Sequence, residues 1–572
     1  MTNIANCGFV KSVNRGLAVS IKDGRNVILV NSDTETFKGT LANLLNVAYS
    51  DPQIGFVSPR SNNASLCSLP HAPISNLLCS PEIAYERWKE IGSTLPKFHF
   101  TPTAIGFYMF IKHEILANFG GLREEFGVGY EEENDLVIRA NKVGYRAALA
   151  NHSFAYHAGS ASFNLLDMDL KTHQNDNLEK MCADHPEFLP LVRRYESSAH
   201  FRAEALLSGL LGSKSGLISV VMDLSGLGCH HNGTNELSLN IIESLSKNYK
   251  NVFDLYVICP QEAFDFHEIK KFHVQRADLS DSRKYAIAIM FGQPFDQHRI
   301  NVLEMLAPIN VFGMLDTIAE DCGHLSITHN LADHWQHVAR YANGVFFISQ
   351  FAEKTFCNRY PDAKNLPKYT RLLPTRLSSY ASEKCKPSSA TEHILILGNH
   401  FPHKDSDVTA IELKNAFPDL KFVVLGADTF QDVNLYGYRS GTLEAETVSK
   451  LFSLASVVVL PSYVEGFGLG IMHALAAGKP IVARNIEATK EILNTYKKID
   501  GVFLYNNNME IKDSLAKAIK HNESKVDDDN SIGWDEWVYG LAQFFVLLTK
   551  RNNLFSKLCD RIYAADLLRK FY

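Results

Sequence analysis

Closely spaced cysteine pairs are absent from this sequence, although it contains ten cysteines among 572 residues. The cysteines are scattered along the chain and form no C-x-x-C pair. This spacing suits neither a disulfide framework nor a structural zinc site, and it is typical of proteins from a reducing compartment. The sequence therefore predicts a cytoplasmic protein.

Long apolar runs and a secretory signal are also missing. No run approaches the roughly 20 residues that a membrane-spanning helix needs. The N-terminus lacks the charged, apolar and small-residue pattern of a signal peptide. We therefore expect a protein in solution, with peripheral contact at the inner face of a membrane as the further option.

Net charge is small for a chain of this length. The formal net charge is −6 and hydrophobic residues make up 46%. These values exclude a general electrostatic attraction to nucleic acid and are ordinary for a folded globular protein. A chain of this length is expected to form two to four domains.

Short apolar runs alternate with amphipathic stretches from residue 215 onward; two examples are HILILG (393–398) and SVVVLP (456–461). This alternation is typical of parallel sheets covered by helices on both faces. It predicts an α/β fold with two doubly wound domains, at 215–385 and 386–525, joined by a Ser/Pro/Lys-rich linker around 378–392. Ligands of such sheets bind beyond the carboxyl ends of the strands, here in the cleft between the domains.

Three further zones flank this pair of domains. Residues 1–163 mix short β-rich runs with polar loops, and residues 164–214 are helix-prone and polar, which indicates a helical connector. The tail at 526–572 is helical and aromatic, and we expect it to pack across the two doubly wound domains. The alternative for the tail is an amphipathic surface that lies on a membrane.

A glycine-bearing turn follows the run SVVVLP and precedes a predicted helix. The turn consists of Glu465, Gly466, Phe467 and Gly468, and the helix begins near Leu469. Glycine lets the backbone approach a ligand, and a helix start offers free N–H groups and a positive dipole end. This combination suits a diphosphate, and the Glu465 carboxylate can accept hydrogen bonds from sugar hydroxyls.

Lys404 lies in the loop GNHFPHKD (398–405), directly after another apolar run. An ammonium at the carboxyl end of a strand can neutralise a departing diphosphate. A solvated loop lysine is the alternative interpretation of this residue taken alone.

Together the two segments resemble the family-4 type of GT-B glycosyltransferase over roughly residues 215–525. The resemblance implies a nucleotide-sugar donor bound by the second domain, a glycan or lipid-linked acceptor held by the first, transfer with retention, and no metal. It assigns Lys404 to the diphosphate, Glu465 to the donor sugar and the turn Gly466–Leu469 to the phosphates. Gly233, in the segment HHNGT, matches the glycine loop that faces the donor.

The sequence departs from that family at two positions. His473 stands where the family usually has a second glutamate for the ribose hydroxyls, and a neutral imidazole can still hydrogen-bond a hydroxyl. In the first domain, Asp316 remains from a His-Asp pair, because Leu315 replaces the histidine. Asp316 is therefore the catalytic candidate of that domain.

The N-terminal zone contains a second group of candidates. Asp33 follows the run NVILVNS and could ligate Mg²⁺ or Mn²⁺, which prefer hard oxygen ligands. An acidic stretch at 131–135 could supply a general base, and His157 a further metal ligand. The alternative for the acidic stretch is a solvated helix start, where carboxylates favour the macrodipole.

This zone is similar to the second half of a family-2 type GT-A glycosyltransferase. The matching segments are N-S-D-T, S-P-x-S-N-N, T-x-x-x-G-F-x-M-x-I, G-Y-x-E-E-N-D-L and Y-H-x-G-S-A-S-F. The resemblance places Asp33 at the second acid of a metal motif, with Asn31 in place of the first. It also implies that Glu133 is the base, with Asp135 beside it, and that His157 binds the metal. Such a module inverts the configuration of the transferred sugar.

The strands that bind the nucleotide base in that family have no counterpart here, so we expect an incomplete GT-A type domain. Three explanations are open: a separate chain completes the domain, the sequence is truncated, or the domain is a relic. The leading function is a two-module glycosyltransferase for polysaccharide biosynthesis. The alternatives are a non-catalytic glycan-binding or scaffolding protein with decayed sites, and a sugar-nucleotide epimerase or a phosphorylase on the GT-B scaffold.

Overall fold

The computed structural model describes residues 8–69, 80–127, 129–159, 170–211, 216–325, 330–379, 392–427, 430, 432–439, 441–521, 523–527, 531–551 and 553–571. These residues divide into two compact units, Met1–Gly212 with Arg551–Tyr572, and Ser213–Lys550. Most of the linker predicted at 378–392, the zone boundary at 163–164 and the end of the segment Y-H-x-G-S-A-S-F lie outside the described residues.

The first unit contains a mixed six-stranded sheet in the order β1-β5-β3-β6-β2, with β4 paired to β6. Its strands are β1 (Val27–Val30), β2 (Thr34–Thr36), β3 (Ile54–Arg60), β4 (Phe98–Thr101), β5 (Tyr108–Ile111) and β6 (Arg146–His157). The central strand β3 is buried at every residue and runs parallel to β6, whereas the other neighbours pair antiparallel.

Helices cover this sheet. They are α1 (Phe9–Lys22), α2 (Thr40–Ala48), α3 (Pro81–Gly92), α4 (His113–Phe119), α5 (Glu132–Asn141), α6 (Leu170–Asp184), α7 (Phe188–Glu196) and α8 (Ala199–Leu207). Helices α6 to α8 lie in the zone predicted as a helical connector. A buried ion pair fixes α8 to the sheet, because the Arg60 guanidinium donates to both carboxylate oxygens of Glu204.

The second unit contains two parallel sheets. The first has seven strands in the order β13-β12-β11-β10-β7-β8-β9. Its strands are β7 (Ile218–Asp223), β8 (Phe253–Ile258), β9 (Gln275–Arg276), β10 (Ile287–Met290), β11 (Ile309–Met314), β12 (Gly344–Phe347) and β13 (Lys368–Thr370). Its helices are α9 (Gly233–Asn248), α10 (Gln261–Phe266), α11 (Gln297–Leu306), α12 (Ile318–Asp321), α13 (Leu331–Tyr341) and α14 (Gln350–Arg359).

The second parallel sheet has six strands in the order β16-β15-β14-β17-β18-β20, and β19 and β21 form a separate antiparallel pair. The strands are β14 (His393–Leu397), β15 (Phe422–Leu425), β16 (Leu435–Tyr438), β17 (Ala455–Leu460), β18 (Ile481–Arg484), β19 (Ile499–Asp500), β20 (Val502–Tyr505) and β21 (Lys525–Val526). The helices are α15 (Ser406–Ala416), α16 (Ala445–Leu454), α17 (Leu469–Ala476), α18 (Glu487–Leu493) and α19 (Glu510–Ala518).

The α/β fold expected from the apolar runs is therefore confirmed. Strands β10, β11 and β12 are buried at every residue. Strands covered by helices on both faces have no solvent-facing side, so they are apolar throughout rather than alternating. This explains why short continuous runs, and not alternating patterns, marked these strands in the sequence.

The C-terminal tail forms two helices, α20 (Trp534–Thr549) and α21 (Leu554–Phe571). Trp537 of α20 is fully buried, and its ring meets Phe346 of β12 and Tyr369 of β13. Helix α21 belongs to the first unit and packs against α8. Within the part of the chain that the structure describes, no helix is both long and apolar enough to cross a membrane.

Candidate functional site

The two parallel sheets of the second unit share a cavity of about 740 Å³ at the carboxyl ends of their strands. Each candidate side chain follows a strand: Gly233 follows β7, Asp316 follows β11, Lys404 follows β14, and Glu465 follows β17. Carboxyl strand ends are where open α/β sheets bind ligands. The volume lies in the range of small-molecule and cofactor sites.

Lys404 and Glu465 form an ion pair in this cavity. The Lys404 Nζ donates to the Glu465 Oε1 at 2.6 Å, and the two side chains are only 17% and 23% exposed. The pair fixes the ammonium at the cavity wall. A charge-assisted hydrogen bond of this kind also orients the carboxylate, whose second oxygen remains available to accept from a ligand.

The turn between β17 and α17 depends on glycine. Gly468 has a φ of +109°, a backbone conformation that favours glycine, and α17 begins at the next residue, Leu469. Gly466, Phe467, Gly468 and Leu469 all line the cavity. The free N–H groups and the dipole of α17 therefore give this wall a partial positive charge.

A second helix begins at the same cavity. Helix α9 starts at Gly233, and a Cβ added to Gly233 would lie 2.9 Å from the Leu469 Cδ1. The two helix starts are therefore in close contact, and both line the cavity. Two helix N-termini and the Lys404 ammonium together favour an anionic ligand.

Asp316 is held in place by hydrogen bonds to one carboxylate oxygen. Its Oδ1 accepts from the Gln293 side-chain amide at 2.9 Å and from the Ile318 N–H at 2.9 Å. Burial raises the pKa of Asp316, although both hydrogen bonds and the Lys404 charge act in the opposite direction. The result is a carboxylate that becomes a stronger base than an exposed aspartate.

His403 lines the same cavity next to Lys404. Burial and the Lys404 ammonium lower the pKa of His403 to about 4, so this imidazole is neutral at pH 7. Among the described residues its buried Nδ1 has no hydrogen-bond partner. A neutral imidazole with an unsatisfied nitrogen can bind a polar ligand group without adding charge.

His473 does not line the cavity. Its Nε2 lies 3.6 Å from the Glu236 Oε2 of α9, and each side chain is one-third exposed. The pair joins α17 to α9 beside the contact between Gly233 and Leu469. His473, which the sequence predicts at the ribose, therefore has the Glu236 carboxylate of the first doubly wound domain as its neighbour.

The first unit brings two of its candidates together. The His157 Nε2 lies 3.4 Å from the Asp33 Oδ1, and the His157 Nδ1 faces the Asn63 carbonyl at 2.7 Å. An Nδ1–H that donates to a carbonyl leaves Nε2 with the lone pair that a metal needs. Among the described residues no group of three His, Cys, Asp or Glu side chains could hold a metal ion. Two ligands fit Mg²⁺ or Mn²⁺ only when substrate phosphates supply further oxygens.

Residues 106 and 107 connect Glu133 to the pair formed by Asp33 and His157. The Glu133 Oε1 accepts from the Gly106 N–H at 3.4 Å, and the next ring, Phe107, lies 5.2 Å from the His157 ring. Burial raises the pKa of Glu133, and burial together with the neighbouring Glu133 carboxylate raises the pKa of Glu132. Two adjacent carboxyl groups with raised pKa values are proton-transfer candidates.

Asp135 has a different environment from Glu133. Its carboxylate accepts from Arg123 at 3.0 Å, from Arg139 at 2.8 Å and from His185 at 3.0 Å. This network ties α5 to Arg123, in the loop before α5, and to His185, directly after α6. Asp135 is therefore a structural anion.

Asn31, which stands at the first position of the expected metal motif, donates its backbone N–H to the Phe107 carbonyl.

Sequence reasoning missed Gln293, His403 and Glu236. Gln293 is the third residue after the end of β10, and a polar residue at this place could have been predicted to lie at the ligand edge of the sheet. His403 directly precedes Lys404 in the loop after β14, so its position near the cavity could have been predicted in the same way. Glu236 carried no signal, because its relation to His473 arises only when α9 and α17 meet.

Comparison with known proteins bears on the second unit. Residues 389–530 match the family described as Glycosyl transferases group 1. This region contains β14 to β21, with Lys404 and the turn after β17. The chain thus carries a glycosyltransferase domain, which confirms the enzyme class expected from the sequence.

One curated relative and several solved structures are similar. The uncharacterized glycosyltransferase MJ1607 of Methanocaldococcus jannaschii is 30% identical over 107 residues, which are 17% of this chain and 26% of that protein. The chain therefore spans about a quarter of that relative's length. HepE of Anabaena, solved with UDP and glucose, is 12% identical, with a TM-score of 0.41 over 62% of this chain and all of its own. A sucrose-phosphate synthase from Thermosynechococcus elongatus is 12% identical, with a TM-score of 0.40 over 62% of this chain and 99% of its own.

Proposed function

We propose that the second unit transfers a sugar from a nucleotide-sugar donor to a glycan or lipid-linked glycan, with retention of configuration. One observation carries the proposal: Lys404, the start of α17 and Asp316 converge on a single cavity between two parallel sheets. The positive groups suit the diphosphate of the donor, and Glu465 suits its sugar.

The proposed reaction exchanges one bond at the sugar carbon C1. The bond from C1 to the diphosphate oxygen breaks, and the electron pair leaves with the diphosphate. The acceptor hydroxyl oxygen forms the new bond to C1 on the face from which the diphosphate departs, so the configuration is retained, and the hydroxyl proton passes to the Asp316 carboxylate. Lys404 and the N–H groups of α17 stabilise the charge that develops on the diphosphate.

Donor hydrolysis tests this proposal. UDP-, GDP- and dTDP-linked sugars are incubated with the wild-type chain, and free nucleotide and sugar are measured. We expect hydrolysis of at least one donor, reduced about 10²–10³-fold by Lys404→Ala, since it removes a preorganised charge. Glu465→Ala should also lower the rate.

The exposed pair formed by Lys271 and Glu268 at 3.4 Å offers a matched control, and Lys271→Ala should leave hydrolysis unchanged. A wild type and variants that are equally silent, with glycan binding retained, would establish the scaffolding alternative. Conversion of the donor sugar into its epimer, without release of nucleotide, would establish the epimerase alternative.

A second candidate activity belongs to the first unit. We propose a GT-A type, inverting module at 1–163, in which Asp33 and His157 hold Mg²⁺ or Mn²⁺ with the donor diphosphate and Glu133 takes the acceptor proton. The ion, when bound, would neutralise the diphosphate. Strand β1 is an edge of the described sheet, with β5 as its neighbour, which supports a separate chain that completes the sheet.

Binding of Mn²⁺ tests this second candidate. Electron paramagnetic resonance should show bound Mn²⁺ only when UDP or GDP is added, because two protein ligands need the phosphate oxygens. Asp33→Asn should abolish the bound signal, and Asp23→Asn, at an exposed ion pair with Arg25, should not. Binding that is equal in wild type and Asp33→Asn would rule out this metal site.

We further propose a cytoplasmic setting in polysaccharide biosynthesis, where lipid-linked acceptors bring the protein to the membrane surface. The cysteine pattern supports the reducing compartment, since the described cysteines are free thiols. Flotation with vesicles that carry a polyprenyl-linked glycan, compared with plain vesicles, tests the peripheral contact.

A further inference from the structure

A second cavity, of about 300 Å³, adjoins the loop after β17. Its lining includes Tyr463 and Glu465 of that loop, Phe351 at the start of α14, and Asn485 and Glu487 after β18. Glu465 is common to this cavity and to the larger one. The proposed function assigns no role to the smaller cavity.

Tyr463 presents an exposed aromatic ring that is nevertheless fixed. The side chain is 52% exposed, and its backbone N–H donates to the His403 carbonyl at 2.8 Å. The Arg484 guanidinium lies 3.7 Å from the ring centroid, and Arg484 is itself held by Asp405 at 3.0 Å. Arg484 does not line the cavity, so it supports one face of the ring and leaves the rest accessible.

The wall of the cavity at Phe351 is held by a carboxylate. The Glu491 side chain of α18 accepts from the Gln350 N–H at 2.7 Å and from the Phe351 N–H at 3.1 Å. This contact joins the start of α14 to α18, and α18 carries Glu487. The width of the cavity is thus set before any ligand binds, which lowers the cost of ordering on binding.

The charges at this cavity are balanced. Glu465 is paired with Lys404 at 2.6 Å, and Glu487 is paired with Lys490 at 2.8 Å. The described lining contains no Lys or Arg side chain, so a phosphate would find no cation there. The Asn485 Nδ2 donates to the Asn506 Oδ1 at 2.9 Å, which orients the Asn485 Oδ1 as an acceptor.

These features match one neutral sugar ring. The C–H groups of a pyranose ring carry a weak positive charge and pack against an aromatic face, whose quadrupole is negative. Its hydroxyls donate to carboxylate and amide oxygens such as those of Glu487 and Asn485. The cavity is at the lower end of the volumes of small-ligand sites, which suits a single ring.

We propose that this cavity binds one neutral pyranose unit of the acceptor glycan, next to the unit that reacts. We assign the donor sugar to the larger cavity, because its diphosphate lies there at Lys404 and the start of α17 in the proposed function. The two cavities meet at Glu465, so a glycan with its reacting end in the larger cavity can extend into the smaller one. The assignment of this sugar to the acceptor rests on the proposed function, whereas the binding of a sugar in this cavity does not.

Saturation-transfer NMR with the full chain tests the site directly. The probes are the methyl glycosides of glucose, galactose and N-acetylglucosamine. We expect saturation of the ring protons of at least one probe, at least a fivefold loss of signal in Tyr463→Ala, and retention in Tyr463→Phe. Tyr539→Ala, at a tyrosine of α20 that is 57% exposed, is the matched control and should behave as wild type.

Two results would overturn the proposal: no saturation of any probe by the wild type, or equal saturation in wild type and Tyr463→Ala. If Tyr463→Ala loses its thermal transition, Asn485→Ala is measured in its place and must show the same loss. Donor hydrolysis is measured on the same samples. If Tyr463→Ala loses probe binding but still hydrolyses the donor, the two sites are separate. If the wild type binds a probe but hydrolyses no donor, the sugar site stands and the transferase proposal fails.

Discussion

A Cβ added to Gly466 would lie 3.1 Å from the Asp316 Oδ2 and 2.6 Å from the Leu315 carbonyl oxygen. The loop after β11 and the turn before α17 therefore touch at a position where only glycine fits. This contact brings the carboxylate that follows β11 in one sheet against the turn that follows β17 in the other.

Gly466→Ala is expected to separate these two loops. A backbone carbonyl cannot move away as a flexible side chain can, so the added methyl forces a shift that costs about 1–3 kcal/mol. We expect a lower melting temperature and at least a tenfold loss of donor hydrolysis. Gly323→Ala is the control, because a Cβ there meets nothing within 4 Å. Full activity in Gly466→Ala would show that the close contact has no role.

His403 gives the protein a pH-dependent stability. Burial and Lys404 lower its pKa to about 4, against an ordinary value of 6.5. The unfolded chain therefore takes up a proton near pH 6.5 that the folded protein resists until about pH 4. The stability that the neutral imidazole contributes is present above pH 6.5 and is lost as the pH falls towards 4.

Urea unfolding at pH 7.5 and pH 5 measures this effect. We expect His403→Gln to lose less stability between the two pH values than the wild type, because glutamine takes up no proton. His521→Gln, at a histidine whose side chain is 38% exposed, is the control. Parallel losses in the wild type and His403→Gln would mean that His403 is not the responsible group.

Much of the fold could be predicted from sequence, and so could the position of each candidate along it. The runs of β10, β11 and β17 are apolar throughout because helices cover both faces, and the polar residue after each run marks the ligand edge. Pairings between distant segments could not be predicted. Lys404 and Glu465 are 61 residues apart, and their 2.6 Å contact exists only after β14 and β17 pair.

The mixed sheet of the first unit was harder to predict. Strand β6 pairs with β2, β3 and β4, so one strand carries both parallel and antiparallel neighbours. Local patterns contain no information on such partners, because register depends on long-range packing. The burial of Arg60 was equally unreadable, since an arginine in a polar loop segment is ordinarily exposed.

The contact between His473 and Glu236 predicts the effect of a second carboxylate at position 473. His473→Glu would place a second carboxylate near Glu236, at the present separation of 3.6 Å. Both side chains are one-third exposed, so we expect a loss of at most about 1 kcal/mol, which added salt should reduce. The measurement is the melting temperature at low and high ionic strength.

Glu236→Gln should restore the melting temperature of His473→Glu, because it removes the repulsion. Glu243→Gln, at an exposed position of the same helix, should not restore it. If both second changes restored stability equally, the effect would come from the net charge and not from the contact between α9 and α17.

The buried pair of Arg60 and Glu204 predicts a much larger effect than any exposed pair of the first unit. Both side chains are fully buried, and Arg60 also donates to Asn151 at 2.9 Å. Glu204→Gln leaves the guanidinium buried without its counter-charge, which should cost about 3–5 kcal/mol. Hydrogen exchange of the β3 and α8 amides should accelerate accordingly.

A double change separates charge from packing at this pair. Arg60→Met with Glu204→Leu replaces both charges by apolar groups of similar size, and we expect it to recover most of the lost protection, because no unpaired charge remains. Glu86→Gln, in an exposed pair with Lys89 at 3.6 Å, should change exchange in β3 by very little. Exchange in the double variant as fast as in Glu204→Gln would show that the hydrogen-bond geometry, and not charge compensation, holds α8 on the sheet.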